Sequence, residues 1–211
     1  RPLGQIVAGE LDVDRMDYLV RDAHHTGVPY GTIDHGRLVR DLRLRDDRLV
    51  LAEGNVQTAE SLLLARTLMD GIVYRHHVSR IAGAMLERAC ERLLDTDTDI
   101  ETFARMADHD LLVALREDVP DLGGRIERRD LYKRAVWAGL DTVPDALTDL
   151  SRADERRAAR EIADRAGVDR EHVIVDVPSR PELKESRIRV VVGDVVQRLE
   201  QASELVAALR A

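Results

Sequence analysis

Residues 9–25 read GELDVDRMDYLVRDAHH and combine five acidic side chains with arginines, one tyrosine and two histidines. At about 100° per residue, one side of a helix over this stretch would carry Asp14, Tyr18, Arg21, Asp22 and His25. The other side would carry the apolar residues Val13, Met16, Leu19, Val20 and Ala23. The spacing predicts an amphipathic helix. A tyrosine among carboxylates and arginines is unusual on a solvated face, so we interpret this stripe as facing a site. The alternative is an ordinary surface helix.

A second polar stripe lies in residues 56–94, where the apolar pattern predicts one long helix. Its members are Arg66, Asp70, Tyr74 and His77, at offsets of four, eight and eleven residues. Gly71 is a weak interruption, since a glycine in a helix costs about 1 kcal/mol relative to alanine. The simpler alternative is an exposed face with an Arg66–Asp70 pair, worth a few tenths of a kcal/mol.

Composition narrows the class of protein. The chain has 211 residues and a net charge of −8, which disfavours a general binder of nucleic acid or of membrane surfaces, because phosphate contacts need a positive field. No apolar run approaches the roughly 18 residues of a membrane span. The single cysteine, Cys90, cannot form an internal disulfide and has apolar neighbours, so we expect an inert buried thiol and a cytoplasmic location.

The rest of the chain divides into a helical region, residues 1–150, and a small α+β C-terminal region, residues 151–211. Helices are expected at 34–40, 98–107, 108–117, 122–127, 151–166 and 199–209. Strands are expected at 42–45, 48–52, 172–177 and 187–192, with a proline-containing loop at 178–181. Residues 128–138 are basic and contain Tyr132 and Trp137. Such a mixture can bind nucleic acid or nucleotide phosphates, but in a chain this acidic we expect a strand or helix edge whose aromatic side chains pack inward.

Several common catalytic motifs are missing from the sequence. It has no glycine-rich phosphate loop, no GxSxG and no HExxH. Its histidine pairs, His24-His25 and His76-His77, are consecutive. Consecutive helical side chains point about 100° apart and do not easily bind one metal ion together, so we expect polar or capping roles for these histidines.

The motif GELDVDRMDYLVRDAHHTGVPYG resembles the second half of HD-domain phosphohydrolases, in the branch of deoxynucleoside triphosphate triphosphohydrolases. The segments ESLLLARTLMDGIVYRHHVSRIAGAMLERA, RRDLYKRA and VIVDVPSRPELKES resemble the same family. The similarity spans nearly the whole chain. It implies a mainly α fold, the second half of an HD-like helical bundle, with the small C-terminal α+β appendage.

The resemblance also implies roles for particular residues. HD enzymes hold a divalent metal ion (Mg, Mn, Fe, Ni or Zn) with a histidine, a His-Asp pair and a later aspartate, which Asp14 matches. Arg15 and Arg66 would contact substrate phosphates, and Tyr18 and Asp22 would line the sugar pocket. Tyr74 would pack against the deoxyribose C2′ and exclude a 2′-hydroxyl.

The other metal ligands of the family would precede Arg1, and the sequence begins without methionine. We therefore expect a piece of a longer enzyme that is inactive alone, acts on nucleotides and assembles into a homo-oligomer. The alternatives are another HD-type nucleotide phosphohydrolase or phosphodiesterase, and a non-catalytic nucleotide-sensing or assembly module. His76, His77 and Val78 are at positions where subunit contacts of such a module could form.

Overall fold

The computed structural model describes residues 4–139, 142–144, 147, 150–177 and 187–210, except for the side chains of Ala8 and Arg210. The α-helices are α1 (Gly4–Ala8), α2 (Val13–Thr26), α3 (His35–Arg40), α4 (Val56–Met69), α5 (His77–Leu94), α6 (Ile100–Arg105), α7 (Asp108–Asp118), α8 (Pro120–Glu127), α9 (Arg152–Ala166), α10 (Leu199–Ala202) and α11 (Glu204–Arg210). The strands are β1 (Leu42–Arg45), β2 (Arg48–Leu51), β3 (Arg189–Val192) and β4 (Val195–Arg198). A π-helical turn covers Asp70–Tyr74, and 3₁₀ turns cover Pro29–Gly31 and Arg170–His172.

The chain forms two compact units. The first unit joins Arg1–Tyr74 to Pro181–Ala211, and the second is Arg75–Arg180. The domain boundary expected at residue 150 stays a prediction. The two compact units group the residues differently, because the C-terminal strands pair with the N-terminal hairpin.

The first unit has one apolar core. Fully buried residues of α2 and α4, such as Leu19 and Leu62, pack with Val190, Leu199 and Val206 from the C-terminal segment. The core is aliphatic, as expected from an aromatic content of 3%.

A four-stranded sheet of order β1-β2-β3-β4 belongs to this first unit. Strands β1 and β2 form an antiparallel hairpin, as do β3 and β4. Strand β2 pairs with β3 in parallel, with Leu51 beside Val190. The C-terminal strands therefore extend the N-terminal hairpin into one sheet.

The second unit contains α5 to α9 and a separate core. This core is centred on Met85, Ala89 and Leu93 of α5, which pack against Leu115 and Leu122 from α7 and α8. Cys90 is half-buried beside this core, and burial together with the charge of Glu87 raises the pKa of its thiol. The thiol is therefore kept protonated, as expected for an inert cysteine.

The mainly α fold with a small α+β C-terminal region is confirmed, and so are most local elements. Helix α2 begins after Asp12, whose carboxylate accepts a hydrogen bond from the Arg15 backbone N–H (2.7 Å), and ends at Gly27 in the left-handed conformation. Helix α9 is bounded in the same way by Ser151 and Gly167.

Three predicted elements differ in the structure, and helix α1 and strand β4 were not predicted. The long helix over 56–94 is divided by the π-helical turn and by His76, the N-cap of α5, so Tyr74 and His77 belong to different helices. The expected strand at 172–177 does not form: His172 ends the 3₁₀ turn, and residues 173–177 have no regular structure. The last helix is divided at Ser203, whose hydroxyl accepts a hydrogen bond from the Val206 N–H (3.1 Å) and caps α11.

In the 172–177 segment a tertiary contact overrides local preference, whereas in residues 128–138 one of the two aromatic side chains is left exposed. The backbone N–H of Val177 donates to the carboxylate of Glu155 (2.9 Å) instead of to a neighbouring strand. Tyr132 is half-buried as expected, but Trp137 is 73% exposed, so its expected inward packing is wrong. The loop expected at 178–181 lies outside the described residues. None of the helices in the described part of the chain has the length and apolarity needed to cross a bilayer.

Candidate nucleotide site

The candidate site lies within the first unit, where α2 contacts α4 and the π-helical turn that follows it. Tyr18 and Asp22 occupy successive turns of α2, and both are half-buried. The same helix buries Met16, Leu19 and Ala23 in the core. The apolar stripe thus fixes how α2 is rotated, and the polar stripe is turned towards Arg66 and Tyr74.

Four side chains from the two predicted stripes meet here. A guanidinium N–H of Arg66 (Nη1) donates to the hydroxyl of Tyr18 at 3.2 Å. The hydroxyl of Tyr74 donates to Asp22 Oδ2 at 3.0 Å. The rings of Tyr18 and Tyr74 pack edge to face, with centroids 5.8 Å apart and planes at 81°. The cluster therefore brings one cation, one anion and two aromatic rings into contact.

The π-helical turn places Tyr74 in this cluster. A π turn adds a residue to the helical repeat, so it changes the direction of the side chains that follow. Gly71 lies inside the turn, and a Cβ built there would meet no atom within 4 Å. The apolar pattern did not predict this turn, whose only local signal is Gly71 followed by the β-branched Ile72 and Val73.

The chemistry of Tyr74 is set by burial and by Asp22. Burial, then the hydrogen bond to Asp22 and the charge of that carboxylate, raises the pKa of Tyr74, while Arg66 acts in the opposite direction. Tyr74 therefore stays a neutral hydrogen-bond donor, and Asp22 is held as an acceptor.

Arg15 is positioned by the residues that precede α2. Its Nη1 donates to the Glu10 carbonyl at 2.9 Å, and its Nη2 lies 3.4 Å from Asp12 Oδ2. Asp12 is 6% exposed and also caps the helix, so it clamps Arg15 in place. This role of Asp12 was missed, although an aspartate three residues before Arg15 has the spacing of an N-cap.

Asp14 is exposed on the first turn of α2, at the helical position one turn before Tyr18. It is the only metal ligand predicted for this chain. Within the described ranges, no group of three or more His, Cys, Asp or Glu side chains is arranged to hold a metal ion. The described residues therefore do not by themselves form a site for the divalent metal that HD phosphohydrolases generally use.

Of the histidines considered as candidates, His24 and His25 are exposed at the end of α2. His76 accepts a hydrogen bond from the Val78 N–H through Nδ1 (3.3 Å) and caps α5. His76 therefore has the capping role expected from the sequence.

Comparison with known proteins identifies the family. A family model described as the HD associated region matches residues 33–211. An uncharacterized protein of Methanocaldococcus jannaschii is 32% identical over 216 residues, covering 98% of this chain and 47% of that protein. The deoxynucleoside triphosphate triphosphohydrolase SAMHD1 of Gallus gallus is 25% identical over 190 residues, covering 76% of this chain and 30% of that protein.

A solved structure agrees with these relatives. The crystal structure of a phosphohydrolase from Bacteroides thetaiotaomicron has a TM-score of 0.67 and 26% identity, and the match covers 99% of this chain and 61% of that one. The chain thus spans about half the length of the M. jannaschii relative and less of the chicken enzyme. Together with the match to the HD associated region over most of its length, this similarity shows that the chain belongs to the HD-domain phosphohydrolase family.

Proposed function

We propose that the full-length protein hydrolyses deoxynucleoside triphosphates to a deoxynucleoside and triphosphate, and that this chain supplies the wall that recognises sugar and phosphate. The observation that carries the proposal is the cluster of Tyr18, Asp22, Arg66 and Tyr74. The deoxynucleoside triphosphate triphosphohydrolase SAMHD1 of Gallus gallus, whose match covers 76% of the chain, supports the same reaction.

Each member of the cluster suits one part of such a substrate. The guanidinium of Arg66 matches the charge and geometry of a phosphate group. The carboxylate of Asp22, already oriented by Tyr74, can accept a hydrogen bond from the sugar 3′-hydroxyl. The ring of Tyr74 is braced by Tyr18, so it can act as a firm steric filter against a 2′-hydroxyl.

Asp14 is proposed as one ligand of the catalytic metal ion, and Arg15 as a phosphate contact held in place by Asp12. The described part of the chain offers no complete metal site, so the remaining ligands would come from elsewhere in the full-length protein. The homo-oligomer expected from the family resemblance also stays a prediction.

The test is a product and selectivity assay on the full-length protein with Mg²⁺ or Mn²⁺. Each deoxynucleotide should release triphosphate. Tyr74→Ala should lower the ratio of deoxynucleotide to ribonucleotide turnover by about tenfold, because it removes the filter but not the phosphate contact. The matched control is Tyr30→Ala, which removes a 41% exposed tyrosine of the same unit and should leave the ratio unchanged.

Two results would contradict the proposal. Release of only monophosphate or pyrophosphate would point to another HD-type chemistry. If the Tyr74→Ala enzyme is active and its ratio of deoxynucleotide to ribonucleotide turnover is unchanged, Tyr74 does not select against ribonucleotides.

A further inference from the structure

A cavity in the second unit is rich in arginine and lies outside the candidate nucleotide site. It is a groove open to solvent on one side, and the space in it, open solvent included, is about 530 Å³. It lies between one face of α5, one face of α9 and the irregular segment 173–175. Its charged lining consists of Arg88, Arg152, Arg156, Arg160 and Arg170 with Glu87, Glu91 and Glu155.

The spacing on the two helices explains why so many charges face one cavity. Glu87, Arg88 and Glu91 recur at three- and four-residue intervals on α5, so they share a face. Helix α9 repeats the pattern with Arg152, Glu155, Arg156, Ala159 and Arg160. The floor is apolar, because Val173, Ile174 and Val175 also line the cavity.

The lining has a surplus of two positive charges, in a chain whose net charge is −8. Glu155 is already counted in this surplus. It cannot neutralise another arginine, because it is 5% exposed and both its carboxylate oxygens already accept hydrogen bonds. One oxygen accepts from the Val177 N–H (2.9 Å), and the other accepts from Arg152 (3.0 Å). Glu91 is shared between Arg88 and Arg156.

The surplus is concentrated at the end formed by Arg160 and Arg170. Arg170 binds Asp164 through two hydrogen bonds of 2.8 Å each. Arg160 is exposed, and in the described part of the chain its charge acts on the same Asp164 without a hydrogen bond to it. Two guanidinium groups thus share one carboxylate, and that carboxylate is not part of the cavity lining.

We infer that this cavity binds a phosphate-bearing polyanion, such as an inorganic polyphosphate or the phosphate tail of a nucleotide, with Arg160 and Arg170 as its principal contacts. Guanidinium groups bind phosphate oxygens in pairs of parallel hydrogen bonds. Arg156 can turn to the ligand at little cost, because its pair with Glu91 is solvent-exposed and such pairs contribute little to stability. This inference does not depend on the proposed function of the first unit.

Isothermal titration of the full-length protein with sodium tripolyphosphate tests the inference. The titration uses an Arg66→Gln background, so that the candidate nucleotide site contributes as little as possible. We expect one saturable site per chain whose affinity falls as salt is added. Arg160→Gln should weaken binding about tenfold, since it removes a charge-assisted contact. Arg160→Gln combined with Arg170→Gln should abolish it.

The matched control is Arg157→Gln. Arg157 is the same residue type on the same helix, but it pairs with Asp154 (2.6 Å) and does not line the cavity. Its substitution should leave the affinity within about twofold of the background protein, a difference smaller than the loss of one contact. Because Arg160 is exposed, its substitution is not expected to impair folding, and the unfolding curve of each variant checks this.

A parallel titration with a deoxynucleoside triphosphate distinguishes the two sources of phosphate. Tighter binding than tripolyphosphate would indicate that the apolar floor contacts the nucleoside, and equal binding would indicate a polyphosphate site. Equal affinities of the Arg160→Gln and Arg157→Gln proteins, or no saturable binding in the background protein, would overturn the inference. Hydrolysis assays on the unsubstituted protein report on the first unit separately.

Discussion

Tyr74 combines a hydrogen bond and a ring contact in one half-buried side chain. Its hydroxyl holds Asp22, and its ring packs edge to face with Tyr18. Loss of the hydroxyl alone should therefore separate the polar role of Tyr74 from its steric role. Because the pKa of this tyrosine is raised, the contribution of its hydroxyl to stability should change with pH and can be measured.

At the residue scale, we predict that Tyr74→Phe lowers the free energy of unfolding by about 1 kcal/mol, the usual net value of one hydrogen bond. The folded-state pKa of Tyr74 lies above its ordinary value of 10.0. The folded protein therefore keeps a proton that the unfolded chain has released, so this contribution is complete below pH 10 and is lost as pH rises through the folded pKa. The gap between wild type and Tyr74→Phe should shrink in urea titrations on the alkaline side of pH 10.

Tyr30→Phe is the control for this measurement, because it removes the hydroxyl of an exposed tyrosine in the same unit. It should leave the unfolding curve close to that of the wild type. A gap for Tyr74→Phe that stays constant across the alkaline range would show that the hydroxyl does not hold its proton as described.

At the scale of elements, helix α2 depends on close packing against the Pro29–Gly31 turn. Gly31 is buried, and a Cβ there would lie 2.2 Å from the carbonyl oxygen of Leu19 and 2.6 Å from the Cβ of Ala23. Both distances are far shorter than a van der Waals contact. The Leu19 oxygen belongs to the backbone of α2, so it cannot move unless the helix moves with it. The turn and the helix would therefore have to separate if this glycine carried a side chain.

We predict that Gly31→Ala lowers the free energy of unfolding by about 2 kcal/mol, within the range for overpacked interiors. It should also weaken nucleotide binding, because α2 carries Tyr18 and Asp22. Denaturation and nucleotide titration measure the two effects. The control is Gly36→Ala on α3, where the nearest atom to the new Cβ is 3.8 Å away, so stability should hold or rise slightly. Equal effects of the two substitutions would contradict this account.

At the scale of the whole molecule, the first unit is assembled from both ends of the chain. Strand β3 carries Val190, which is fully buried, beside Leu51 of the N-terminal hairpin. Leu199 and Val206 then add two more fully buried side chains to the same core. The helices that carry the candidate nucleotide site are thus supported by residues far away in sequence.

We predict that Val190→Asp lowers the free energy of unfolding by about 3 kcal/mol or more, because an unpaired carboxylate is placed in an apolar core. Nucleotide binding should fall with it. Val192→Asp is the matched control, since it makes the same change two residues along the strand, where the side chain is 41% exposed. Thermal and urea unfolding compare the two, and similar losses would show that strand β3 does not hold this core together.

The sequence by itself determined the local elements and the two polar stripes. Helix α2 was predicted from its apolar spacing, and α9 from caps that lie within a few residues of its ends, Ser151 and Gly167. Helix α2 has caps of the same local kind, Asp12 and Gly27. The side of α2 that is buried followed from its apolar spacing alone. The family resemblance implied roles for individual residues. The contacts in the structure support these proposed roles only for the residues whose side chains touch one another.

Only the tertiary structure decided which distant segments meet. The pairing of Leu51 with Val190 joins strands separated by more than half the chain, and no local pattern specifies such a partner. The irregular path of 173–177 includes the contact of the Val177 N–H with Glu155, which overrides the local preference for a strand. The arginine cavity likewise required two helix faces and an irregular segment to be brought together. The physical reason is the same in each case: caps and periodicity act within a few residues, whereas strand partners and cavities depend on the packing free energy of the whole fold.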